Sequence, residues 1–216
     1  MTFCLDTTII KPENNFEIKN AIILLHGYGG DGKDISVLSL NWKRHLPNTI
    51  FICPNGHERC HINPSGYQWF DLSNEDPKYI LTQSLRAEKK LSKFIDEVKK
   101  EYNIDNDKIC LSGFSQGCMM SINLGLTADK EFNCIVGFSG KIIDPEDLKL
   151  RKKVATSTLL IHGDADQVVM PNFLLEAKDF FIRNDIEIET HLIKGCDHHI
   201  PIEASSIALN YILKKF

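Results

Sequence analysis

Short apolar runs alternate along this chain with longer segments in which apolar residues recur every three or four positions. Runs of the first kind predict strands, and segments of the second kind predict helices. Strands are predicted over residues 3–10, 21–26, 49–53, 108–112, 133–138, 157–162 and 187–193. Helices are predicted over residues 34–45, 80–102, 116–127, 171–183 and 201–215. This alternation is typical of an α/β protein with a mostly parallel central sheet, here of about seven strands, with helices on both faces.

The chain is long enough for one domain with a sizeable core, and it contains neither an internal repeat nor a recognisable linker. Its 216 residues are 43% hydrophobic and 25% charged, which is ordinary for a globular protein. We therefore predict a single domain over residues 1–216. In a parallel sheet, functional side chains are expected in the loops that follow the carboxyl ends of the strands.

Charge and cysteine content limit the partners and the compartment. The formal net charge of -4 argues against a nucleic-acid partner, which would require a basic face. No apolar run approaches the length of a membrane span, and the first residues lack the pattern of a secretory signal. The 7 cysteines have no regular spacing, which favours free thiols in a reducing compartment. We predict a cytoplasmic protein, and the sequence leaves its oligomeric state open.

The segment Gly113-Phe114-Ser115-Gln116-Gly117 joins a predicted strand to a predicted helix. This G-x-S-x-G pattern is typical of a nucleophile elbow, in which a serine stands on a sharp turn. Glycines are needed on both sides because side chains there would collide with the neighbouring strand and helix. We predict that Ser115 is a nucleophile.

A serine nucleophile needs a base, and the base needs an acid that orients it. In elbow enzymes the chain order is serine, then aspartate or glutamate, then histidine. Asp164 and Asp166 follow one predicted strand, and His198 and His199 follow the next. Alone, each pair could consist of polar loop residues. Together with the elbow they complete the order Ser115, Asp166, His198.

Two backbone N–H groups are expected to bind the oxyanion of such a site. One belongs to the residue after the nucleophile, Gln116, and the other to the glycine-rich loop 26–32, where Tyr28 is the expected donor. The same loop also matches G-x-G-x-x-G, a dinucleotide fingerprint. That alternative requires an acidic residue at the end of the next strand, where the sequence has Pro54 and Asn55.

A metal site is a further alternative. His57, Cys60 and His61 lie close together in the sequence and, with His198 and His199, could be arranged around zinc, but their spacing matches no structural zinc pattern. We predict neither a metal nor a cofactor.

Five segments together resemble the phospholipase/carboxylesterase family of α/β-hydrolases, which includes the acyl-protein thioesterases. The resemblance spans nearly the whole chain and depends on LLHGYGGDG at 24–32, GYQWFD at 66–71, LSGFSQGCMMS at 111–121, IHGDADQVVMP at 161–171 and GCDHHI at 195–200. It implies an α/β-hydrolase fold with Ser115 as nucleophile, Asp166 as acid and His198 as base.

Two departures from the family pattern affect the site. The family often has leucine where this chain has Tyr28. The tandem pair His198 and His199 leaves the base open by one position, and the register counted from Gly195 favours His198.

The resemblance also implies a reaction. The family hydrolyses carboxylic esters, and some members cleave thioesters on acylated proteins. We predict a serine hydrolase that cleaves a small acyl ester or thioester through an acyl-enzyme, with an acylated protein as a further candidate substrate. A peptidase on the same fold and an inert hydrolase-fold binding protein are the alternatives.

The long irregular region at about 56–79 is expected to lie over the same sheet edge as Ser115. We predict that Trp69 and Phe70 help to form an apolar channel for the acyl group. The alternative is that these aromatic side chains hold the loop against the core.

Overall fold

The computed structural model describes residues 3–13 and 16–216. Within these ranges nine strands are formed: β1 Thr7–Ile10, β2 Asn20–Leu25, β3 Thr49–Pro54, β4 Glu58–Arg59, β5 Tyr67–Gln68, β6 Ile109–Phe114, β7 Cys134–Phe138, β8 Thr158–Gly163 and β9 Ile188–Ile193. The same ranges contain seven α-helices: α1 Gly32–Ile35, α2 Val37–Trp42, α3 Pro77–Tyr102, α4 Gln116–Thr127, α5 Pro145–Arg151, α6 Asn172–Arg183 and α7 Ile202–Lys215.

Seven of the strands form one sheet in the order β1-β3-β2-β6-β7-β8-β9. Only the edge strand β1 runs antiparallel to its neighbour, and the other pairs are parallel. The predicted fold class, a mostly parallel sheet of this size, is therefore confirmed. Because the parallel strands end at the same edge, the loops after β2, β6, β8 and β9 meet there.

Helices cover both faces of the sheet because side chains alternate along each strand. On β2, Ile22 and Leu24 pack with residues of α1, α2 and α7. The intervening Ile23 and Leu25 pack with residues of α3 and α4. Residues of α5 and α6 pack against α4, β7 and β8 in a third apolar cluster.

The predicted helix over 34–45 is instead two short helices, α1 and α2. Ser36 separates them, and its hydroxyl donates to the carbonyl of Lys33 at 2.7 Å. The Ser39 hydroxyl in turn donates to the Ser36 carbonyl at 2.7 Å. Serine side chains that bond to nearby backbone groups compete with regular helix geometry, and such a pair lies at the break between α1 and α2.

Three further elements differ from the sequence-based expectation. Helix α5 was not predicted, because Leu148 is its single buried residue and the apolar period is too short to detect. The small hairpin β4–β5 lies within the loop predicted as irregular. The first predicted strand is shorter than 3–10, since β1 covers only Thr7–Ile10. In the described part of the chain no helix is both long and apolar enough to cross a membrane.

Candidate active site

Ser115 lies at the turn between β6 and α4. Its φ of 53° is in the left-handed region, which is strained for a residue with a side chain. Its backbone N–H donates to the Phe138 carbonyl of the neighbouring strand at 2.8 Å, which holds the turn in place. A Cβ on Gly113 would overlap the backbone of Gly117, and a Cβ on Gly117 would overlap the Leu25 carbonyl. Both glycines are therefore required by the close approach of β2, β6 and α4.

A chain of hydrogen bonds joins Ser115 to two of the predicted residues. The Nε2 atom of His198 lies 3.0 Å from the Oγ atom of Ser115. The Nδ1 atom of the same ring lies 2.7 Å from Oδ2 of Asp166. The three side chains come from the loops after β6, β9 and β8. The structure thus brings together the three residues whose order was predicted from the sequence.

The Asp166 carboxylate is buried and fully engaged. Its Oδ1 atom accepts the backbone N–H groups of Val168 and Val169, each at 2.9 Å. Burial raises the pKa of this carboxyl, but the hydrogen bonds from His198 and from the two valine N–H groups outweigh burial and hold it below its usual range. An ionised Asp166 fixes the proton of His198 on Nδ1, so that Nε2 faces Ser115 as an acceptor.

His162 supports the loop that carries Asp166. Its Nε2–H donates to the Val169 carbonyl at 2.7 Å and lies 3.3 Å from Asp166 Oδ2. Burial lowers the pKa of His162, which keeps the imidazole neutral despite the adjacent carboxylate. Sequence analysis did not single out this residue, although it occurs in a His-Gly pair at the end of an apolar strand.

The neighbouring Asp164 and His199 have other contacts. Asp164 Oδ1 accepts the Gly195 N–H at 2.6 Å and so ties the loop after β8 to the loop that carries His198. His199 is paired with Asp197 on the surface. The geometry therefore selects His198, and not His199, as the imidazole beside the serine.

Among the residues that the structure describes, the backbone N–H groups of the two expected oxyanion donors have no acceptor. Gln116 is the first residue of α4, where the N–H has no acceptor within the helix. Among the described residues no acceptor is paired with the Tyr28 N–H. The adjacent Gly29 has a φ of 81°, and its N–H donates to the Tyr67 carbonyl at 2.9 Å. This bond fixes the loop while leaving the Tyr28 N–H unused.

Trp69 and Phe70 do not line an open channel, which corrects the sequence-based prediction. Each is only 1% exposed and packs in the core beneath the oxyanion loop. The Trp69 backbone N–H donates to Gln116 Oε1 at 2.8 Å, and Gln116 Nε2 donates to the Phe70 carbonyl at 2.7 Å. The Trp69 indole N–H donates to the His26 carbonyl at 3.0 Å. The alternative reading, in which these aromatics hold the loop to the core, describes their position.

His26 is a second buried histidine next to the site. Its Nδ1–H donates to the Gly27 carbonyl at 2.7 Å, and its Nε2 accepts the Gly56 N–H at 2.8 Å. Burial lowers the pKa of His26, and both ring nitrogens are satisfied in the neutral form. The ring also stacks on Trp69, with centroids 5.2 Å apart. His26 thereby links the oxyanion loop to the region after β3, and it too begins a His-Gly pair.

Comparison with known proteins identifies the family. The family model of the phospholipases/carboxylesterases matches residues 6–215. The chain belongs to the phospholipase/carboxylesterase family.

Several relatives resemble this chain over most of their own length. An acyl-protein thioesterase 1 of Schizosaccharomyces pombe is 27% identical over 199 residues, with 88% of this chain and 86% of the relative covered. The esterase YpfH of Escherichia coli K12 is 24% identical, with 88% and 81% covered.

Solved structures agree with this assignment. The esterase PE8 has a TM-score of 0.93 at 31% identity, with 98% of this chain and 99% of that chain covered. A Bacillus cereus carboxylesterase has a TM-score of 0.81 at 18% identity, with 99% and 95% covered, and supports the fold alone. The chain is a hydrolase of carboxylic esters or thioesters.

An apolar groove of about 380 Å³ opens beside His198. His198 and Tyr28 line it, together with apolar side chains that include Ile35, Val37, Leu38, Phe114 and Ile200. A larger cavity of about 520 Å³ lies at the opposite end of α4 from Ser115 and is lined mainly by charged and polar side chains. Only the smaller groove is in contact with the hydrogen-bonded chain.

The histidines and cysteine considered for a metal have separate contacts. His57 Nε2 lies 3.3 Å from Glu58, and His61 Nε2 lies 3.9 Å from Asp71. Across residues 3–13 and 16–216 no three His, Cys, Asp or Glu side chains are grouped so that they could hold a metal ion.

Proposed function

We propose that Ser115, His198 and Asp166 form the catalytic triad of this hydrolase and that Tyr28 and Gln116 supply the oxyanion donors. The observation that carries the proposal is the continuous hydrogen-bonded chain from Ser115 Oγ through His198 to Asp166. It supplies a nucleophile, a base within reach of its proton, and an acid that sets the tautomer of the base.

Acylation begins when Ser115 Oγ attacks the carbonyl carbon of an ester or thioester and its proton passes to His198 Nε2. The carbonyl oxygen becomes an oxyanion, which the N–H groups of Tyr28 and Gln116 stabilise. Losing one such donor typically costs about 3–4 kcal/mol of barrier. The tetrahedral intermediate then collapses, the bond to the leaving oxygen or sulfur breaks, and that atom takes the proton from Nε2.

Deacylation repeats the sequence with water as the nucleophile. His198 Nε2 accepts a proton from water, whose oxygen attacks the acyl carbon, and Ser115 Oγ leaves with the proton returned from Nε2. The Asp166 carboxylate stabilises the imidazolium in both halves of the reaction. The chemistry proposed here needs neither a metal nor a cofactor.

We propose small acyl esters and thioesters as substrates and acylated proteins as a second candidate class. The second class is suggested by relatives named acyl-protein thioesterase, which match this chain over most of their own length. We also propose a cytoplasmic location for a protein that folds as one domain. All 7 cysteines are free thiols, which suits a reducing compartment.

A fluorophosphonate probe tests the nucleophile directly. Wild-type protein should be labelled at Ser115, and Ser115→Ala should lose both labelling and turnover of p-nitrophenyl acetate. Ser112→Ala is the matched control, because Ser112 is a buried serine of β6 whose hydroxyl has no partner among the described residues. Near-normal turnover by the Ser115→Ala protein would refute the mechanism.

The same preparation distinguishes the alternatives. Matched ester, thioester and amide substrates with one acyl group should give hydrolysis of the first two and a much slower rate for the amide. Turnover of the amide at the ester rate would favour a peptidase. Neither labelling nor turnover of any substrate would favour an inert binding protein.

A further inference from the structure

We propose that the apolar groove beside His198 binds the leaving group of the substrate, as an uncharged aliphatic alcohol. This inference rests on the proposed function, because it assumes that His198 delivers a proton to that group. It assigns to the groove the leaving-group half of the substrate, whereas the acyl half points away from the groove.

The position of the groove relative to the imidazole carries the argument. His198 forms part of the groove wall, and the Phe114 ring, another part of that wall, has its centroid 4.8 Å from the imidazole centroid. The leaving atom must come within hydrogen-bond reach of Nε2 to receive its proton. An alcohol whose oxygen lies within reach of Nε2 extends along the groove wall that the imidazole helps to form.

The acyl chain is directed differently by the same geometry. At the tetrahedral carbon, Ser115 Oγ and the leaving oxygen both face Nε2, and the oxyanion faces the two backbone donors. The remaining substituent is the acyl chain, which therefore points away from the imidazole. A groove that contains the imidazole in its wall is suited to the leaving group.

The lining of the groove indicates the kind of alcohol. Val37 and Leu38 of α2 and Ile200 before α7 give it an aliphatic wall. Val37 is 60% exposed, so an alkyl chain would remove water from a side chain that the protein itself leaves open. Asp34 is the acidic side chain in the lining, and it disfavours an anionic leaving group. Each methylene buried in such a site should improve binding by about two- to fourfold.

Partitioning of the acetyl-enzyme isolates this subsite from the acyl site. With p-nitrophenyl acetate as the only acyl donor, added primary alcohols from methanol to hexanol compete with water for the same intermediate. An alcohol that attacks loses its proton to His198 Nε2, forms the new acetate ester, and releases Ser115 Oγ with that proton. At equal alcohol concentration, the ratio of the acetate ester formed to the acetic acid formed should rise about two- to fourfold for each methylene added to the alcohol, until the groove is filled.

Two exposed residues of α2 provide matched variants. Val37 lines the groove, whereas Leu40 lies on the same helix outside its lining, and they are 60% and 61% exposed. Val37→Ser should flatten the dependence on alcohol length, and Leu40→Ser should preserve it. Leu40→Ser should release p-nitrophenol at the wild-type rate, and both variants should remain folded, since neither position is buried.

The outcomes separate the groove assignment from the proposed function. Normal p-nitrophenol release with a product ratio independent of alcohol length would overturn the groove assignment alone. So would a Val37→Ser protein that keeps the alcohol dependence but loses the dependence of kcat/KM on acyl length, because the groove would then hold the acyl chain. Failure to form any acetyl-enzyme would overturn the proposed function together with this inference.

Discussion

Replacing Asp166 with asparagine is the most informative single perturbation, because the structure dictates how the amide must orient. The carboxylate accepts three hydrogen bonds, from Val168 N and Val169 N at Oδ1 and from His198 Nδ1 at Oδ2. An asparagine has one oxygen and one NH₂ group, so it can satisfy only one side. Its orientation decides which tautomer His198 adopts.

The two orientations differ in the number of buried donors left unpaired. If the amide oxygen faces His198, the NH₂ group opposes the N–H groups of Val168, which is 72% exposed, and of buried Val169, so that one buried donor loses its acceptor. At about 1–3 kcal/mol for an unsatisfied buried group, this orientation is disfavoured by about 1–3 kcal/mol. The NH₂ group therefore faces His198 Nδ1, which must accept, and the ring proton moves to Nε2. An imidazole in that tautomer cannot accept the Ser115 proton.

We expect Asp166→Asn to lower kcat by about 10⁴-fold, corresponding to about 5.5 kcal/mol of barrier, while the protein remains folded. The assay is steady-state hydrolysis of p-nitrophenyl acetate, with thermal unfolding as the check on folding. Asp164→Asn is the matched control, because the Asp164 side chain accepts the Gly195 N–H on the exposed side of the same loop, a bond that an amide oxygen can also accept. A kcat for Asp166→Asn within tenfold of wild type, or an equal loss in the control, would refute this reasoning.

Two further predictions concern the buried histidines and Trp69. Burial lowers the pKa of His26 and His162 in the folded protein. In the unfolded chain a histidine has its ordinary pKa of about 6.5, so as the pH falls through this value the unfolded chain binds more protons than the folded protein. The Tm should therefore fall between pH 7 and pH 5.5. His162→Gln should reduce this fall in Tm, whereas the control His45→Gln, at an exposed position, should not. A Tm that is constant over this interval would contradict the role given to the buried histidines. Trp69→Phe keeps the aromatic ring but removes the indole donor to His26, so it should lower kcat for acetate esters with little change in KM. Unchanged kcat with a weaker dependence on acyl length would instead restore the acyl-channel role of Trp69.

The pattern of the chain was sufficient for the fold class and for the composition of the hydrogen-bonded site. Buried parallel strands read as continuous apolar runs, and the carboxyl ends of such strands meet at one edge. Residues that follow those runs are therefore neighbours in space, although Ser115 and His198 are far apart in the chain. The glycines of the elbow can also be predicted from the sequence, because their function depends on a close approach between consecutive elements.

Features that depend on packing between segments far apart in the chain could not be predicted from the sequence pattern. Helix α5 buries a single apolar residue, Leu148, so its periodicity is too short to detect, although Asp144 and Pro145 provide a start signal. His26 and His162 stand at the ends of predicted strands, where the sequence does not show their role, because their neutral, bonded state depends on contacts with other loops.

Trp69 shows most clearly where the sequence alone is insufficient. An aromatic residue in a long loop near a catalytic edge is compatible with either a channel wall or a core anchor. The decision depends on Gln116 and His26, which lie about 45 residues away on either side and accept its two N–H groups. The same is true of the groove, whose walls come from α2, from the elbow and from the loop before α7. Local sequence determines which residues follow each strand, whereas side-chain contacts between loops far apart in the chain determine which of them face the substrate.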